Sequence, residues 1–281
     1  TVEGISVGIL TAVQVVDVDA DAGGTAKAYV AGELSASTLG LNATTNNIAT
    51  SNTTAVSVGI GGAVTVSNTT ATISQTTDAS LKKGADVTLS GAATFYATST
   101  ATPTASTTGV NVGGFSGAAQ FVTTNLDGAT KAGSEAGSKL NGPSLTATAI
   151  SNNSSPDHED VSASFVGVSL LGGSGTKLIS NVAQATDASL GGNITLTNAA
   201  TLTATSNTYS VAKNANVSVS GLSITVLDVQ ANLAGSTTAG VADSGNLTAG
   251  SLTANATGNA TSSAETRFVG FSLAGGSGSK T

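Results

Sequence analysis

The sequence predicts an all-β protein, a parallel β-solenoid in which about five repeats, each roughly 50–54 positions long, stack into one continuous array. Two observations carry that prediction. Val, Leu and Ala alternate with Thr, Ser and Asn at a period of two, the mark of a half-buried strand. The pattern also recurs along all 281 residues, the mark of a repeat architecture.

The first repeating element is apolar-x-apolar-Gly: Ile5-Ser6-Val7-Gly8, Val56-Ser57-Val58-Gly59 and Val110-Asn111-Val112-Gly113, then more loosely Phe165-Val166-Gly167, Val219-Ser220-Gly221 and Phe268-Val269-Gly270. Subtracting successive glycine numbers gives 51, 54, 54, 54 and 49. The second element is a small-residue pair at Ala43-Thr44, Ala97-Thr98, Ala147-Thr148, Ala204-Thr205 and Ala254-Asn255, with differences of 54, 50, 57 and 50. Between these markers lie short strand-like segments that follow a glycine, Asp86-Val87-Thr88-Leu89 after Gly84 and Asn193-Ile194-Thr195-Leu196 after Gly192. The final segment, Phe268 to Lys280, echoes Phe165 to Lys177. Five units and a fragment account for residues 1–281, so the chain reads as a single array cut from a longer repeat protein.

One such unit alone has too little core to fold. Stacking solves this, because each strand then pairs with its equivalent one coil away at about 4.8 Å and inward aliphatic rows merge into one core. Thr, Ser and Asn are expected on the solvent side, with Thr favoured there because it is β-branched. Each unit is expected to hold two coils of about 27 residues, or three of about 18, giving in the first case about ten coils and a right-handed rod of about 50 Å. A row of β-sandwich domains is the rival, and it would need linkers that the sequence lacks.

Composition excludes several functions. Charged residues make up 9% of the chain and the net charge is −7, so the basic footprint of a nucleic-acid-binding protein is missing. No apolar run reaches the roughly 18 residues of a membrane-spanning helix. The segment from Thr1 to Val30 does not read as a signal peptide. The absence of Cys excludes disulfides and thiolate metal sites.

The stretch Val56-Ser57-Val58-Gly59-Ile60-Gly61-Gly62-Ala63-Val64-Thr65-Val66, with Ala85-Asp86-Val87-Thr88-Leu89 and Ala97-Thr98 after it, resembles the repeat regions of very large secreted bacterial surface proteins, the filamentous-haemagglutinin-like and leukotoxin-like adhesins. That resemblance implies an extracellular, cell-surface β-solenoid stalk or filament. The stretches Asn141-Gly142-Pro143 and Ser154-Ser155-Pro156-Asp157-His158-Glu159-Asp160 depart from the pattern and are expected to form a protruding loop.

Five motifs invite a chemical reading. Asp17, Asp19 and Asp21 suggest a weak calcium site, but counting from Asp17 the sixth position is Ala22 and the twelfth Ala28, where an EF-hand has Gly and Glu. They read instead as a solvated acidic strand face. Gly172-Gly173-Ser174-Gly175-Thr176-Lys177 imitates a calcium-binding nonapeptide without its Asp and reads as a glycine turn. Gly275-Gly276-Ser277-Gly278-Ser279-Lys280 lacks the Gly that precedes the lysine of a phosphate loop. Asp157, His158, Glu159 and Asp160 hold the sole His and read as a hydrated loop. Asn42, Asn52, Asn68, Asn193, Asn216 and Asn246 begin Asn-x-Ser/Thr triplets that so Thr-rich a chain contains by composition. With one Arg, Arg267, and eight Lys, no basic catalytic cluster can be assembled. No residues are therefore assigned to catalysis, cofactor or metal binding.

The reading that remains is a non-enzymatic extracellular structural segment, whose partners are neighbouring repeats or copies of itself stacked end to end. The alternatives are a self-assembling homopolymeric fibre or sheath, and a Thr-rich face that binds a repetitive surface such as glycan or ice.

Overall fold

A computed structural model describes residues 1–153 and 160–281. Those residues form thirteen strands and no helix: β1 (Val2–Gly8), β2 (Thr11–Val30), β3 (Glu33–Ala36), β4 (Leu39–Leu81), β5 (Asp86–Leu89), β6 (Ala93–Ser134), β7 (Lys139–Gly142), β8 (Leu145–Asn153), β9 (Val161–Leu190), β10 (Asn193–Leu196), β11 (Ala199–Val241), β12 (Asn246–Thr248) and β13 (Ser251–Lys280). Every pairing between them is parallel. The two strands read from Gly84 and Gly192 are β5 and β10, residue for residue. Among the described residues no helix is long and apolar enough to cross a membrane.

Register fixes how much chain makes one coil. Gly8 pairs with Gly59, Gly59 with Gly113, Gly113 with Ser169, Ser169 with Ser220 and Ser220 with Ser272. Subtracting each number from the next gives steps of 51, 54, 56, 51 and 52 along the chain. One repeat is therefore one coil, which corrects the expected two coils per unit. It also shortens the stack, since six rungs joined by steps of about 4.8 Å rise about 24 Å rather than about 50 Å.

A coil this long stays thin because it is flattened. In β4, residues 39–59 and 62–81 are two arms that face each other across the interior: Thr45 meets Thr77 at 2.6 Å, Thr53 meets Thr69 at 2.7 Å, and Ser57 Oγ donates to the Val64 carbonyl at 3.3 Å. The arms join at a glycine bend, where a Cβ on Gly59 would sit 2.0 Å from the Gly62 carbonyl oxygen. An arm of about 20 residues reaches about 65 Å, so the stack is a slab far wider than it is tall.

The opposite end is closed by the short strands β3, β5, β7, β10 and β12, which form a second sheet. Its inward column, Leu34, Val87, Leu140, Ile194 and Leu247, plugs the gap between the arms. Asn141 and Gly142 belong to this sheet, registered with Thr88 and with Thr195 and Leu196. They continue the pattern they were expected to break. Residues 154–159 lie outside the described residues, but coil four has eight residue steps from Asn153 to Val161 where coil three has four from Ala101 to Ala105.

Two apolar clusters fill the slab. The larger lies beside the short-strand sheet and includes Leu81, Phe95, Leu140, Leu145, Leu190 and Leu202. The other lies mid-arm around Ile73, Leu126, Leu178 and Val229. Between them runs a row of buried hydroxyl pairs, Thr45 with Thr77, Ser99 with Thr130 and Ser151 with Thr186, each at 2.6 Å. In each pair one hydroxyl donates to the other, so neither oxygen is buried without a partner. Beside this row one column reads Gly24, Gln75, Gly128, Gln184 and Gly235. The buried side chains of Gln75 and Gln184 both pack on Gly128, at 3.3 and 3.5 Å from where its Cβ would be.

At the turn after β4, Lys82 Nζ bonds the carboxylates of Asp78 and, at 2.8 Å, Glu135 of the next coil. Burial pulls the Lys82 ammonium down, but the two carboxylates overcome it and hold the lysine above its ordinary 10.5. The Lys82 hydrogen bond holds Glu135 below its ordinary 4.5, with burial opposing and the Lys83 amide helping. A raised lysine stabilises below its unfolded value, and a lowered glutamate stabilises above its own. The bridge therefore acts between about pH 4.5 and 10.5 and fades outside that window. Because both side chains are partly solvated, Glu135→Gln is expected to cost under about 1 kcal/mol. In urea titrations the difference from wild type should shrink as the pH falls below 4.5. A difference unchanged between neutral and strongly acidic solution would show that the pair contributes nothing electrostatic.

Candidate functional site

The inward–outward pattern reverses toward the glycine bend. From 41 to 49 the buried apolar residues of β4, Leu41, Ala43 and Ala49, occupy odd positions and point in, while Ile48 at an even position is exposed. From 56 to 60 they occupy even positions, Val56, Val58 and Ile60, while the inward neighbour is the fully buried Ser57. Val and Thr are both at home in a strand, so the backbone runs on unchanged while the chemistry of its faces is exchanged. This corrects the expectation of inward Val and outward Thr throughout.

The interior of this end is polar and hydrogen-bonded. Thr65 Oγ1 donates to Asn111 Oδ1, Asn111 donates to the Gly117 carbonyl, and Gln120 donates to the Ser164 carbonyl at 3.2 Å. Asn216 donates to Thr176 at 3.1 Å, and Thr176 to Gln120 at 3.3 Å.

The exterior carries two unbroken apolar columns. One is Ile5, Val56, Val110, Val166, Val217 and Val269; the next is Val7, Val58, Val112, Val168, Val219 and Phe271. Val58, Val112, Val168 and Val219 are 37 to 43% exposed in the middle of the stack. Ile60, Leu170 and Leu273 extend the patch around the bend. A contiguous apolar face of this kind marks an interaction surface. Sequence reasoning passed over it, although the shift of Val from odd to even positions within one strand was its signal.

The residues with expected chemistry fall elsewhere. Asp17, Asp19 and Asp21 alternate along the exposed outer face of β2, in steps of about 6.8 Å, and Asp17 accepts from Asn68 at 3.0 Å. Among the described residues no group of three or more His, Cys, Asp or Glu is placed to hold a metal ion. Gly172 to Lys177 is not a turn: it is extended in β9, paired residue by residue with Ser116 to Phe121 and Ser223 to Asp228. Gly275 to Lys280 is likewise strand, in β13. Asp157, His158 and Glu159 lie outside the described residues. Asp160 is buried rather than hydrated, and accepts from the Val211 amide at 2.9 Å. Asn42, Asn68, Asn193 and Asn246 are exposed, Asn52 is half-buried beside Ser106, and Asn216 is buried. Arg267 pairs with Glu265 on its own strand.

Fold and surface together define a flattened parallel β-solenoid with one coil per repeat. The chain finds no match among protein-family models, curated proteins or solved structures.

Proposed function

We propose that the chain is a non-enzymatic structural segment of an extracellular filament or adhesin stalk. The observation that supports this reading is the register. Inward and outward roles repeat coil after coil over six rungs, and charges of opposite sign stack along the same ladders, Lys27, Asp78, Lys131 and Asp187 in one column and Lys177, Asp228 and Lys280 in another. Such an array carries load through its parallel ladders and through the hydroxyl rows between its apolar clusters. Its outermost strands, β1 with β2 and β13, present backbone edges suited to neighbouring coils or to further copies.

Assembly of identical chains into a fibre through those edges is the second reading. A Thr-rich binding face has less support: its best outward column, Thr94, Thr146, Thr201 and Thr253, is unbroken over four rungs, but the column beside it, Tyr96, Thr148, Thr203 and Asn255, is mixed, and the next, Thr44, Thr98, Ile150, Thr205 and Thr257, is interrupted by isoleucine.

Single-molecule pulling on the chain by its two ends tests the load-bearing role. Unfolding is expected in discrete events, each releasing one coil, or about 180 Å of extended chain. Smooth extension without steps would defeat it.

A further inference from the structure

We infer that the glycine-bend edge of the slab is a membrane wedge, inserted into one leaflet of a lipid bilayer with the stacking axis in the membrane plane and the arms standing upright. The inference is independent of the load-bearing role, which pulling in the absence of lipid tests separately.

Three features point to acyl chains as the occupant. The first is that the apolar surface wraps the edge. In coils two to five it runs from the Val columns of the first arm over a tip at Ile60, Phe115 and Leu170, which are 79, 63 and 73% exposed, and onto the outer face of the second arm. There one column reads Val64, Gly117, Gly173 and Ile224, and the next Val66, Ala119, Gly175 and Val226. A folded partner docks on one face of a slab, whereas a fluid apolar phase surrounds both faces and the tip together.

The second is depth. Val56 to Ile60 and Gly62 to Val66 are each four residue steps, about 13 Å of extended strand, close to the roughly 15 Å of hydrocarbon in one leaflet. The belt also ends at one height on both arms, just short of where Thr53 meets Thr69 across the interior. The next outward column is Thr54, Thr108, Ser164 and Ala215 on the first arm, and Asn68, Phe121, Lys177 and Asp228 on the second. Hydroxyl, amide and charged groups thus return where headgroups and water would begin.

The third is polar satisfaction. A chain within hydrocarbon must bond its backbone groups internally. Each of β4, β6, β9 and β11 remains strand through the bend, and where the register slips between Gly59 and Gly62 the Gly62 amide donates to the Leu10 carbonyl at 2.8 Å. The hydroxyls and amides of this end point inward and bond one another. A protein–protein interface carries about ten hydrogen bonds, and the outward side chains from Val56 to Val66, with their counterparts in coils three to five, offer no group to make one.

The chain contains no Trp, so a single introduced one reports its own surroundings. Ile60→Trp places it at the tip, Val112→Trp on one face and Ile224→Trp on the other, while Ile48→Trp places it on the exposed outer face of the first arm beyond the belt. With phosphatidylcholine vesicles carrying brominated acyl chains, the first three are expected to shift their emission to the blue and to be quenched, and Ile48→Trp to do neither. Ile60→Asp combined with Leu170→Asp is expected to lower vesicle binding roughly tenfold or more, with circular dichroism unchanged because both side chains already face out. Quenching on one face alone would mean that the slab lies flat and would overturn the wedge. No response from the three reporters, or binding that survives both aspartates, would overturn the proposal. So would emission already blue-shifted without vesicles in a chain that sediments as a dimer, which would assign the belt to a second copy.

Discussion

Gly133→Ala is expected to destabilise the protein by roughly 3 kcal/mol or more. Gly133 is buried in β6 with φ of 151°, between Ser80 of the coil before and Ser189 of the coil after. A side chain there meets two separate penalties. The backbone conformation is one that L-residues rarely adopt, at a cost of order 1–3 kcal/mol. In addition the new Cβ would lie 1.8 Å from the Ser189 carbonyl oxygen, an overlap that only a shift of the neighbouring rung relieves. Urea unfolding followed by circular dichroism measures the effect. A midpoint within error of wild type would show that the ladder at this rung is slack.

Phe95→Ala is expected to cost roughly 3–5 kcal/mol, the usual range for emptying a fully buried aromatic site. Phe95 is wholly buried in the cluster beside the short-strand sheet, stacked between Leu41 and Ala147 of the adjacent coils. Its neighbours are held on parallel ladders and have little freedom to collapse into the gap. The same urea experiment reads the loss, and one below about 1 kcal/mol would mean that the cluster repacks. Val112 makes the useful contrast, because it is also an apolar strand residue yet faces outward.

Much of the fold could be read from the residues alone. Alternation identified strands, the recurrence of glycine identified coils, and β5 and β10 were placed residue for residue by a preceding glycine and a short apolar run. The number of coils per repeat was not legible from spacing, because the same period is compatible with one turn or with two. The deciding information lay in a mirror relation: Leu41 and Ala43 read forward match Leu81 and Ala79 read backward about the bend at Gly59 and Gly62, as expected of two facing arms. The glycine marker also slipped. Gly167 stands in register with Asn111 and Ser218, and the true equivalent of Gly113 is Ser169, so equal spacings in the sequence concealed a longer step.

The candidate surface was less legible for a physical reason. Alternation tells which residues share a face, but not which face is inside, and here the answer changes within a single strand. Leu41 and Ser57 both point inward; Asn42 and Val58 both point outward. Only closure of the coil distinguishes them, since wide aliphatic pairs fit beside the short-strand sheet while hydroxyl and amide pairs span the narrowing end near the bend. The acidic triplet of β2 shows the converse. Three aspartates at alternate positions suggest a chelate, but an extended backbone spreads them along a strand.

The column in which glutamine alternates with glycine gives the array a grammar of odd and even members. Gln75 and Gln184 both lean into the space that Gly128 leaves open between them. Removing the coil of Gly128 would bring glutamine against glutamine, removing that of Gln75 or Gln184 would bring glycine against glycine, and removing a consecutive pair would restore the alternation. Deleting or adding coils in consecutive pairs is therefore the edit that keeps this column's alternation intact.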